Sequence, residues 1–171
     1  MGGNVALFRI AIPPHSLYHD TTYRIWSLVS RKNCLLRNKN DRTIKCDGSV
    51  ASNQGVLLDN IKVKDVSAPT HRLFRLELQV PNTPSNIYVI TGIGENQDIN
   101  VKKVDASSPP NTSGTKFEPE VFYAFTRFRC SGVGGKNDLY LASDENGRVT
   151  LAKGGLSRYP NPATLFVITE I

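Results

Sequence analysis

Cysteine is scarce in this chain: there are three, Cys34, Cys46 and Cys130, and no two are spaced as C-x-x-C. A small, odd count excludes a disulfide-rich scaffold, and the missing close pair argues against a structural zinc site. Cys34 and Cys46 could face each other across a hairpin, but free buried thiols are the interpretation that we favour. Free thiols indicate synthesis in a reducing compartment, which still allows later release by a route without a signal peptide.

Long hydrophobic runs and helical periodicity are also missing. The apolar runs are only a handful of residues long, too short to cross a membrane, so no membrane insertion is expected. Residues 1–12 lack the basic start and apolar core of a secretory signal peptide. No segment repeats apolar residues at the i, i+3, i+4, i+7 spacing over several turns, so no substantial helix is predicted. The 171 residues, 39% of them hydrophobic and 21% charged, are typical of one globular domain.

No motif for catalysis, metal binding or cofactor binding stands out. Gly92-Ile93-Gly94 follows a predicted strand, but Gln97 occupies the place of the third glycine of a dinucleotide-binding fingerprint. His15 and His19 have no third metal ligand near them in the sequence. No Gly-x-Ser-x-Gly turn or local Cys–His pair is present. We therefore expect a binding protein that uses no cofactor and no metal, rather than an enzyme.

Negative charge is sparse in the first half of the chain. Residues 1–80 hold 12 Lys and Arg against 6 Asp and Glu, whereas residues 81–171 hold 9 of each, so the net charge of +6 arises in the first half. Its densest basic stretch either steers an acidic partner or merely keeps a surface hairpin hydrated. Nucleic acid is not an expected partner, because no aromatic residues are interleaved with these charges. The stretch contains Arg31, Lys32, Arg37, Lys39, Arg42 and Lys45.

Short strand patterns bounded by turn residues fill the chain. Residues 23–28 and 73–78 alternate apolar and mixed side chains, which is typical of strands with one buried face. Asn146-Gly147 is the clearest hairpin turn, because both residues tolerate a positive φ. The predicted strands are Val5–Ile12, Thr22–Val29, Cys34–Arg37, Thr43–Cys46, Val56–Val63, Leu73–Val80, Ile87–Thr91, Ile99–Val104, Val121–Arg129, Leu139–Ser143, Arg148–Ala152 and Thr164–Ile171.

A weak internal repeat organises these strands. A unit of aromatic-rich strand, turn, short apolar strand, polar turn and apolar strand begins near Ile25, Phe74 and Phe125, about 50 residues apart. Three such units predict an all-β fold, the β-trefoil, in which a closed barrel of about six strands is capped by about three hairpins. Barrel closure would remove the exposed edges of so many short strands. A β-sandwich is the alternative. We expect residues 22–171 to form this single domain and residues 1–21 to form an N-terminal arm.

One segment resembles a known family of cytokines. Residues 23–38, which read Tyr-Arg-Ile-Trp-Ser-Leu-Val-Ser-Arg-Lys-Asn-Cys-Leu-Leu-Arg-Asn, resemble the opening of the interleukin-1 family. Residues 86–89, 121–127 and 164–168 resemble later strands of the same family. The Pro-Gly-Trp-Phe segment that the family carries before its tenth strand is missing, so a divergent, interleukin-18-like member is the closer comparison. The resemblance covers residues 22–171.

This resemblance implies a secreted cytokine or antagonist that acts in immune and inflammatory signalling. Its partner would be an immunoglobulin-domain receptor of the interleukin-1 receptor family, bound by a monomer. The chain would be cytoplasmic before leaderless release and extracellular afterwards. Trp26 could instead be a core residue, since a lone tryptophan on an alternating strand is often buried. The implied receptor-binding residues are Arg24, Trp26, Arg31, Lys32, Arg37 and Lys39.

Two alternatives stay open. Residues 139–147 are similar to a hairpin of fibroblast growth factors, which implies binding of heparan sulfate with Lys153 and Arg158 as glycan-binding residues. A β-trefoil protease inhibitor or lectin would instead present one loop, such as Pro81–Asn86 or Pro109–Gly114. The second loop contains the sequon Asn111-Thr112-Ser113, which matters only if the chain enters the secretory pathway.

Overall fold

The computed structural model describes residues 17–37, 43–48, 56–58, 61–67, 72–80 and 82–171. These residues form short strands, as the alternation of apolar and polar side chains predicts. The strands are β1 (Thr21–Ser27), β2 (Asn33–Arg37), β3 (Thr43–Gly48), β4 (Val56–Leu58), β5 (Ile61–Asp65), β6 (Phe74–Gln79), β7 (Asn86–Thr91), β8 (Asn100–Asp105), β9 (Phe117–Phe122), β10 (Phe125–Cys130), β11 (Leu139–Ser143), β12 (Val149–Lys153), β13 (Gly155–Leu156), β14 (Tyr159–Pro160) and β15 (Phe166–Glu170).

Six strands close into an antiparallel barrel. β1 pairs with β5, β5 with β6, and β6 with β9. The ring continues from β9 to β10, from β10 to β15, and from β15 back to β1. Closure gives each of these strands a neighbour on both sides, so none of them is a free edge.

Three further hairpins are formed by β2 and β3, by β7 and β8, and by β11 and β12. The first strand of each hairpin pairs with a barrel strand: β2 with β1, β7 with β6, and β11 with β10. They also contact one another. The amide of Cys46 donates to the carbonyl of Gly147 at 2.8 Å, and that of Ile99 donates to the carbonyl of Val149 at 3.1 Å. A six-stranded barrel capped by three hairpins is the β-trefoil, so the predicted fold class is confirmed. We call residues 21–65, 74–122 and 125–170 repeats 1, 2 and 3.

The barrel interior is filled from alternate positions of its strands. On β1, Tyr23, Ile25 and Ser27 point inward and are buried, whereas Arg24 and Trp26 lie half-buried on the outer surface. Burial of a large apolar side chain stabilises the fold by about 1.5–3 kcal/mol. The largest fully buried aromatic side chains are Tyr23, Phe74, Phe117, Phe128 and Phe166.

The segment that precedes β1 also packs on the barrel. The side chain of Leu17 is 1% exposed and belongs to the core cluster. Its carbonyl accepts a hydrogen bond from the guanidinium of Arg72 at 2.8 Å. The amide of Asp20 donates to the carbonyl of Val63 at 2.9 Å, which continues the pairing of β1 with β5 toward the N-terminus.

Two predicted strands are each divided in the structure. Residues 56–63 contribute to β4 and β5, and residues 121–129 to β9 and β10. The second division is a two-residue hairpin turn at Tyr123-Ala124, where Tyr123 takes a φ of 53°. Sequence patterns did not mark this turn, because Tyr and Ala are not typical turn residues. The predicted strand at residues 5–12 lies outside the described residues.

The interpretation of Cys34 and Cys46 as free thiols is wrong. The two residues form a disulfide that links β2 to β3. The hairpin register, Asn33 to Gly48 and then Leu35 to Lys45 across an irregularity, brings the two cysteines face to face. The separation of 12 between the two cysteines in the sequence does not specify which residues of β2 and β3 face each other. Cys130 is free and buried.

Helical structure in the described residues is limited to three-residue 3-10 turns, at Ser113–Thr115, Val133–Gly135 and Pro162–Thr164. None of these turns has the length needed to cross a membrane. Because these turns are so short, the positions of the side chains at the surface are determined mainly by strand pairing and by packing of the barrel core.

Candidate binding sites at the repeat junctions

The barrel strands that meet at each repeat junction carry equivalent outward positions. The first strands of the three repeats have matching buried residues, which are Ser27, Leu78 and Cys130. Three residues before each of these, an arginine points outward, and these arginines are Arg24, Arg75 and Arg127. The residue immediately before each buried one differs between repeats, being Trp26, Glu77 and Arg129. The three junctions thus share a geometry and differ in chemistry.

At the junction of repeats 2 and 3, two carboxylates on β9 face two guanidinium groups on β10. The antiparallel register places Glu118 opposite Arg129 and Glu120 opposite Arg127. Arg127 Nη2 lies 2.6 Å from Glu120 Oε2, and Arg129 Nε lies 3.3 Å from Glu120 Oε1. Arg129 also forms an ion pair with Glu118. Charge-assisted pairs of this kind fix the positions of their side chains.

Tyr140 on β11 joins this charged group to the cap. Its hydroxyl donates to Glu120 Oε2 at 3.0 Å, and the Arg127 guanidinium lies 4.5 Å from its ring centroid. Arg127 Nη1 also donates to the carbonyl of Gly154 at 3.2 Å. Burial, together with the neighbouring Glu120 charge, raises the pKa of Tyr140 above its ordinary value. The hydroxyl therefore stays protonated and continues to donate at neutral pH.

A cavity of about 300 Å³ opens beside this group, and we call it the 2–3 pocket. Its walls offer hydrogen-bond donors and acceptors of several kinds above one apolar residue, Leu73. Within the described residues, the Asn137 side chain makes no hydrogen bond and is exposed, so it is available to a ligand. The pocket is lined by Leu73, Glu118, Arg129, Cys130, Ser131 and Asn137.

The thiol of Cys130 also lines this pocket, and it is held in its neutral form. Burial raises its pKa from 9.0 to about 12. Its Sγ lies 3.6 Å from the carbonyl oxygen of Gly114, to which it donates. Because a thiolate is the reactive species, this cysteine is unreactive at neutral pH and acts as a core residue.

The junction of repeats 1 and 2 carries a second cavity, of about 270 Å³, which we call the 1–2 groove. Here Lys62 lies opposite Glu77, and Lys64 lies opposite Arg75. Glu77 is 3% exposed, and Arg75 Nε lies 2.5 Å from its Oε1. The groove is lined by His19, Lys62, Lys64, Asp65, Arg75, Glu77, Gln79, Ile87 and Ala106.

Four of the receptor-binding residues predicted from the sequence lie close together around β1. Arg24 lies opposite Thr169, and Trp26 lies opposite Val167, on the outer surface of the barrel. Arg31 and Lys32 are exposed in the turn between β1 and β2. This turn closes on the end of β1 through the Ser27 amide, which donates to the carbonyl of Lys32 at 3.0 Å.

The other predicted site residues are spread out. Arg37 ends β2, although its side chain is outside the described part, and Lys39 lies outside the described residues altogether. Lys153 is exposed at the end of β12, and Arg158 is exposed between β13 and β14. The carbonyl of Lys153 accepts a hydrogen bond from the Asn161 side chain at 3.0 Å, which ties this segment to the residue before a 3-10 turn.

The residues of the 2–3 pocket were missed by sequence reasoning. A signal for them exists in Phe117-Glu118-Pro119-Glu120-Val121 and Thr126-Arg127-Phe128-Arg129-Cys130. Each segment carries charge at every second position, and the two signs are opposite. Cross-strand pairing of opposite charges is favourable, so a hairpin between the segments would have predicted the two ion pairs.

Within the described residues, no group of three or more His, Cys, Asp and Glu side chains is arranged to hold a metal ion. In that part of the chain, His19 accepts a hydrogen bond at Nδ1 from the amide of Asp65 at 3.0 Å, and its Nε2 lies 3.3 Å from Asp20 Oδ2. This histidine therefore connects the segment before β1 to the end of β5.

The fold is a β-trefoil with cavities at two of its repeat junctions. No family model and no curated protein sequence matches the chain. Among solved structures, it is similar to the apo form of the β-trefoil BEL, with a TM-score of 0.65 at 12% identity, covering 91% of this chain and 96% of that one. It is also similar to Cry35Ab1, with a TM-score of 0.68 at 11% identity, covering 91% and 37%.

A third similar structure is a lectin from Polyporus squamosus, bound to the human-type influenza-binding epitope Neu5Acα2-6Galβ1-4GlcNAc. The TM-score is 0.58 at 12% identity, covering 91% of this chain and 50% of the lectin. The chain thus spans half of that lectin and about a third of Cry35Ab1. Similarity at this level of identity shows the β-trefoil fold alone, and the resemblance to the interleukin-1 family stays a prediction.

Proposed function

We propose that this protein is a carbohydrate-binding β-trefoil and that the 2–3 pocket is its saccharide site. The observation that carries the proposal is a cavity of about 300 Å³ whose polar wall contains Glu118, Arg129 and Asn137. Adjacent hydroxyls of a sugar both donate and accept hydrogen bonds. A carboxylate accepts, a guanidinium donates in two directions, and an amide does both, so the wall matches a sugar edge.

Pre-organisation of this wall supports the proposal. Glu118 and Arg129 are fixed by the β9/β10 register and by their ion pair, and Arg129 is held further by Glu120. A side chain that is already ordered loses little conformational entropy when a ligand binds. The two carboxylates and two guanidinium groups balance in charge, which favours a neutral saccharide at this site.

The similar structures add support of a limited kind. One of them is a lectin with a bound sialylated trisaccharide, and this chain covers half of that lectin. Its sequence is 12% identical to this chain, and no binding residue is carried over from it. The residues assigned here come from the geometry of this chain.

Titration of the purified protein with a panel of neutral mono- and oligosaccharides tests the assignment. Asn137→Ala should weaken binding about tenfold, the effect of removing one to two hydrogen bonds from a polar site. Asn100→Ala is the matched control, because Asn100 is also exposed but lies on β8 and does not line the pocket. Absence of saccharide binding by the wild-type protein, or equal affinities of the two variants, would overturn the proposal.

A second candidate function is the cytokine-like one, favoured by the outward position of Trp26. A half-buried tryptophan on the barrel surface, flanked by Arg24 and near Arg31 and Lys32, has the composition of a protein-binding hot spot. In this function, the chain is a secreted ligand of an immunoglobulin-domain receptor. The charged residues would raise the association rate, whereas the tryptophan would set the lifetime of the complex.

Binding to immobilised ectodomains of the interleukin-1 receptor family tests this candidate. Trp26→Ala should increase the dissociation rate, and Arg31→Glu with Lys32→Glu should slow association. Lys102→Glu with Lys103→Glu changes the charge by the same amount on β8 and should leave association unchanged. No selective binding to any receptor, or equal effects of the two charge reversals, would remove this function.

A further inference from the structure

The 1–2 groove is the structural counterpart of the 2–3 pocket. Each cavity lies beside the two paired barrel strands that join two repeats, β9 and β10 at the pocket and β5 and β6 at the groove. Some of the residues that line the two cavities have matching places on these strands. Glu118 of the pocket corresponds to Lys62 of the groove, and Arg129 corresponds to Glu77, since each pair has the same place in the strand register. At the pocket, β9 of repeat 2 thus carries two carboxylates, Glu118 and Glu120. At the groove, β5 of repeat 1 carries two lysines, Lys62 and Lys64, in the same places.

Two of the acidic side chains that line the groove are already engaged. Glu77 is buried and bound to Arg75. Asp65 accepts hydrogen bonds from the amide and hydroxyl of Ser67, and these bonds lower the pKa of its carboxyl. The bonds from Ser67 keep Asp65 ionised, and Arg75 is bound to Glu77, so the ammonium groups of Lys62 and Lys64 are the lining groups that would hold an anion.

Both lysines currently contact a carboxylate from the segment before β1. Asp20 forms an ion pair with Lys64, and its Oδ1 lies 3.8 Å from the Lys62 ammonium. The hydrogen bond from Lys64 lowers the pKa of this carboxyl, so Asp20 is charged at neutral pH. Its backbone has a φ of 63°, a left-handed conformation that aspartate tolerates better than most residues. Two lysines that line the groove are thus already paired with an anionic group of the protein itself.

We propose that the 1–2 groove is a second ligand site that binds an anionic group of a saccharide, either a sulfate or a carboxylate, on Lys62 and Lys64. The ligand's anionic group would replace the Asp20 carboxylate as the partner of the two ammonium groups. The saccharide part rests on the proposed function above, whereas the anion part rests on the groove alone.

Calorimetric titration with a heparin-derived hexasaccharide, an oligogalacturonate of the same length and inorganic sulfate tests this site. Asp20→Asn should tighten binding about two- to fivefold, because the competing carboxylate is removed from an exposed ion pair. Lys62→Gln with Lys64→Gln should weaken it about tenfold or more. The hexasaccharide carries sulfate and carboxylate and the oligogalacturonate carries only carboxylate, so their ranking identifies the preferred group.

Matched controls separate a site from a general charge effect. Glu145→Gln removes one exposed negative charge in the β11/β12 turn, and Lys102→Gln with Lys103→Gln removes two exposed positive charges on β8. Neither should change the affinity by more than about twofold. Equal effects of the control and groove variants, or an unchanged affinity of Asp20→Asn, would overturn the proposal. Urea unfolding of each variant shows whether it remains folded.

Failure of this proposal is distinguishable from failure of the saccharide function. Binding of inorganic sulfate that depends on Asp20, Lys62 and Lys64, with no saccharide bound anywhere, would support the groove and remove the saccharide function. Binding of neutral saccharides without any response of the anionic probes to the groove variants would remove the groove proposal and support the 2–3 pocket.

Discussion

The guanidinium carbon of Arg127 lies 4.5 Å from the centroid of the Tyr140 ring, and both side chains contact Glu120. Arg127 and Glu120 belong to paired barrel strands, whereas Tyr140 belongs to the third hairpin of the cap. This cation–π contact and its hydrogen bonds connect cap to barrel. They also support the wall of the 2–3 pocket, since Glu120 contacts Arg129 as well.

Tyr140→Phe should destabilise the protein by about 1–2 kcal/mol, because it removes a hydrogen bond to a charged carboxylate and keeps the ring. Urea unfolding monitored by circular dichroism measures the change. Tyr88→Phe is the control, since Tyr88 is similarly buried and its hydroxyl makes no hydrogen bond within the described residues. Equal losses in the two variants would mean that the bond to Glu120 contributes nothing.

Cys130 should resist alkylation in the folded protein. Burial raises its pKa from 9.0 to about 12, so little thiolate exists at pH 8 and iodoacetamide should modify it only after unfolding. Mass spectrometry counts the modified thiols. One rapidly labelled cysteine in the native protein would contradict this expectation, whereas one in urea and three in urea with a reductant would agree with it.

The same thiol should make stability fall at alkaline pH. Its folded-state pKa lies above the ordinary value of 9.0, so the unfolded chain loses this proton first as the pH rises. The stabilising contribution is complete below pH 9 and declines as the pH approaches about 12. Cys130→Ala should show a shallower decline over this range in urea unfolding at a series of pH values. Identical slopes would refute the contribution.

The disulfide between Cys34 and Cys46 closes a loop with a sequence separation of 12. Replacing both residues by serine should lower the free energy of unfolding by about 2–3 kcal/mol, because the unfolded chain gains entropy. A reductant should lower the stability of the wild-type protein by a similar amount and leave the double variant unchanged. A wild-type unfolding curve that does not respond to reductant would count against the bridge.

Gly147 should tolerate no side chain. Its φ is 80°, and a Cβ there would lie 2.5 Å from the carbonyl oxygen of Cys46 in the neighbouring hairpin. Gly147→Ala should cost about 2–3 kcal/mol, from left-handed strain plus a steric clash. Gly135→Ala isolates the strain, since Gly135 has a φ of 71° and no atom within 4 Å of its Cβ position. A cost near 1 kcal/mol is expected there, and equal costs would exclude the clash.

The repeat of strand patterns correctly predicted the β-trefoil, although the strand count left a β-sandwich open. Starts near Ile25, Phe74 and Phe125 fall on β1, β6 and β10, the first strand of each repeat. Alternation on β1 correctly indicated a strand with one buried face, but it did not tell which face. Both faces carry large residues, and only packing showed that Tyr23 and Ile25 are buried while Trp26 is not.

The sites were harder to predict, since they depend on register. The Asn146-Gly147 turn was correctly predicted, yet only Gly147 of the two residues has a positive φ. The Tyr123-Ala124 turn was missed, and with it the pairing of β9 with β10. A shift of one residue in that hairpin would place Glu118 and Arg129 on opposite faces of the sheet.

The sequence by itself determined the all-β class, the three repeats and the β-trefoil, because side-chain periodicity and turn residues act locally. Tertiary structure alone decided the Cys34–Cys46 bridge, the charge-paired 2–3 pocket and the lysine-lined 1–2 groove. Each of these depends on which residues face one another across two strands. That choice is made by core packing and barrel closure over the whole domain, and no local pattern contains it.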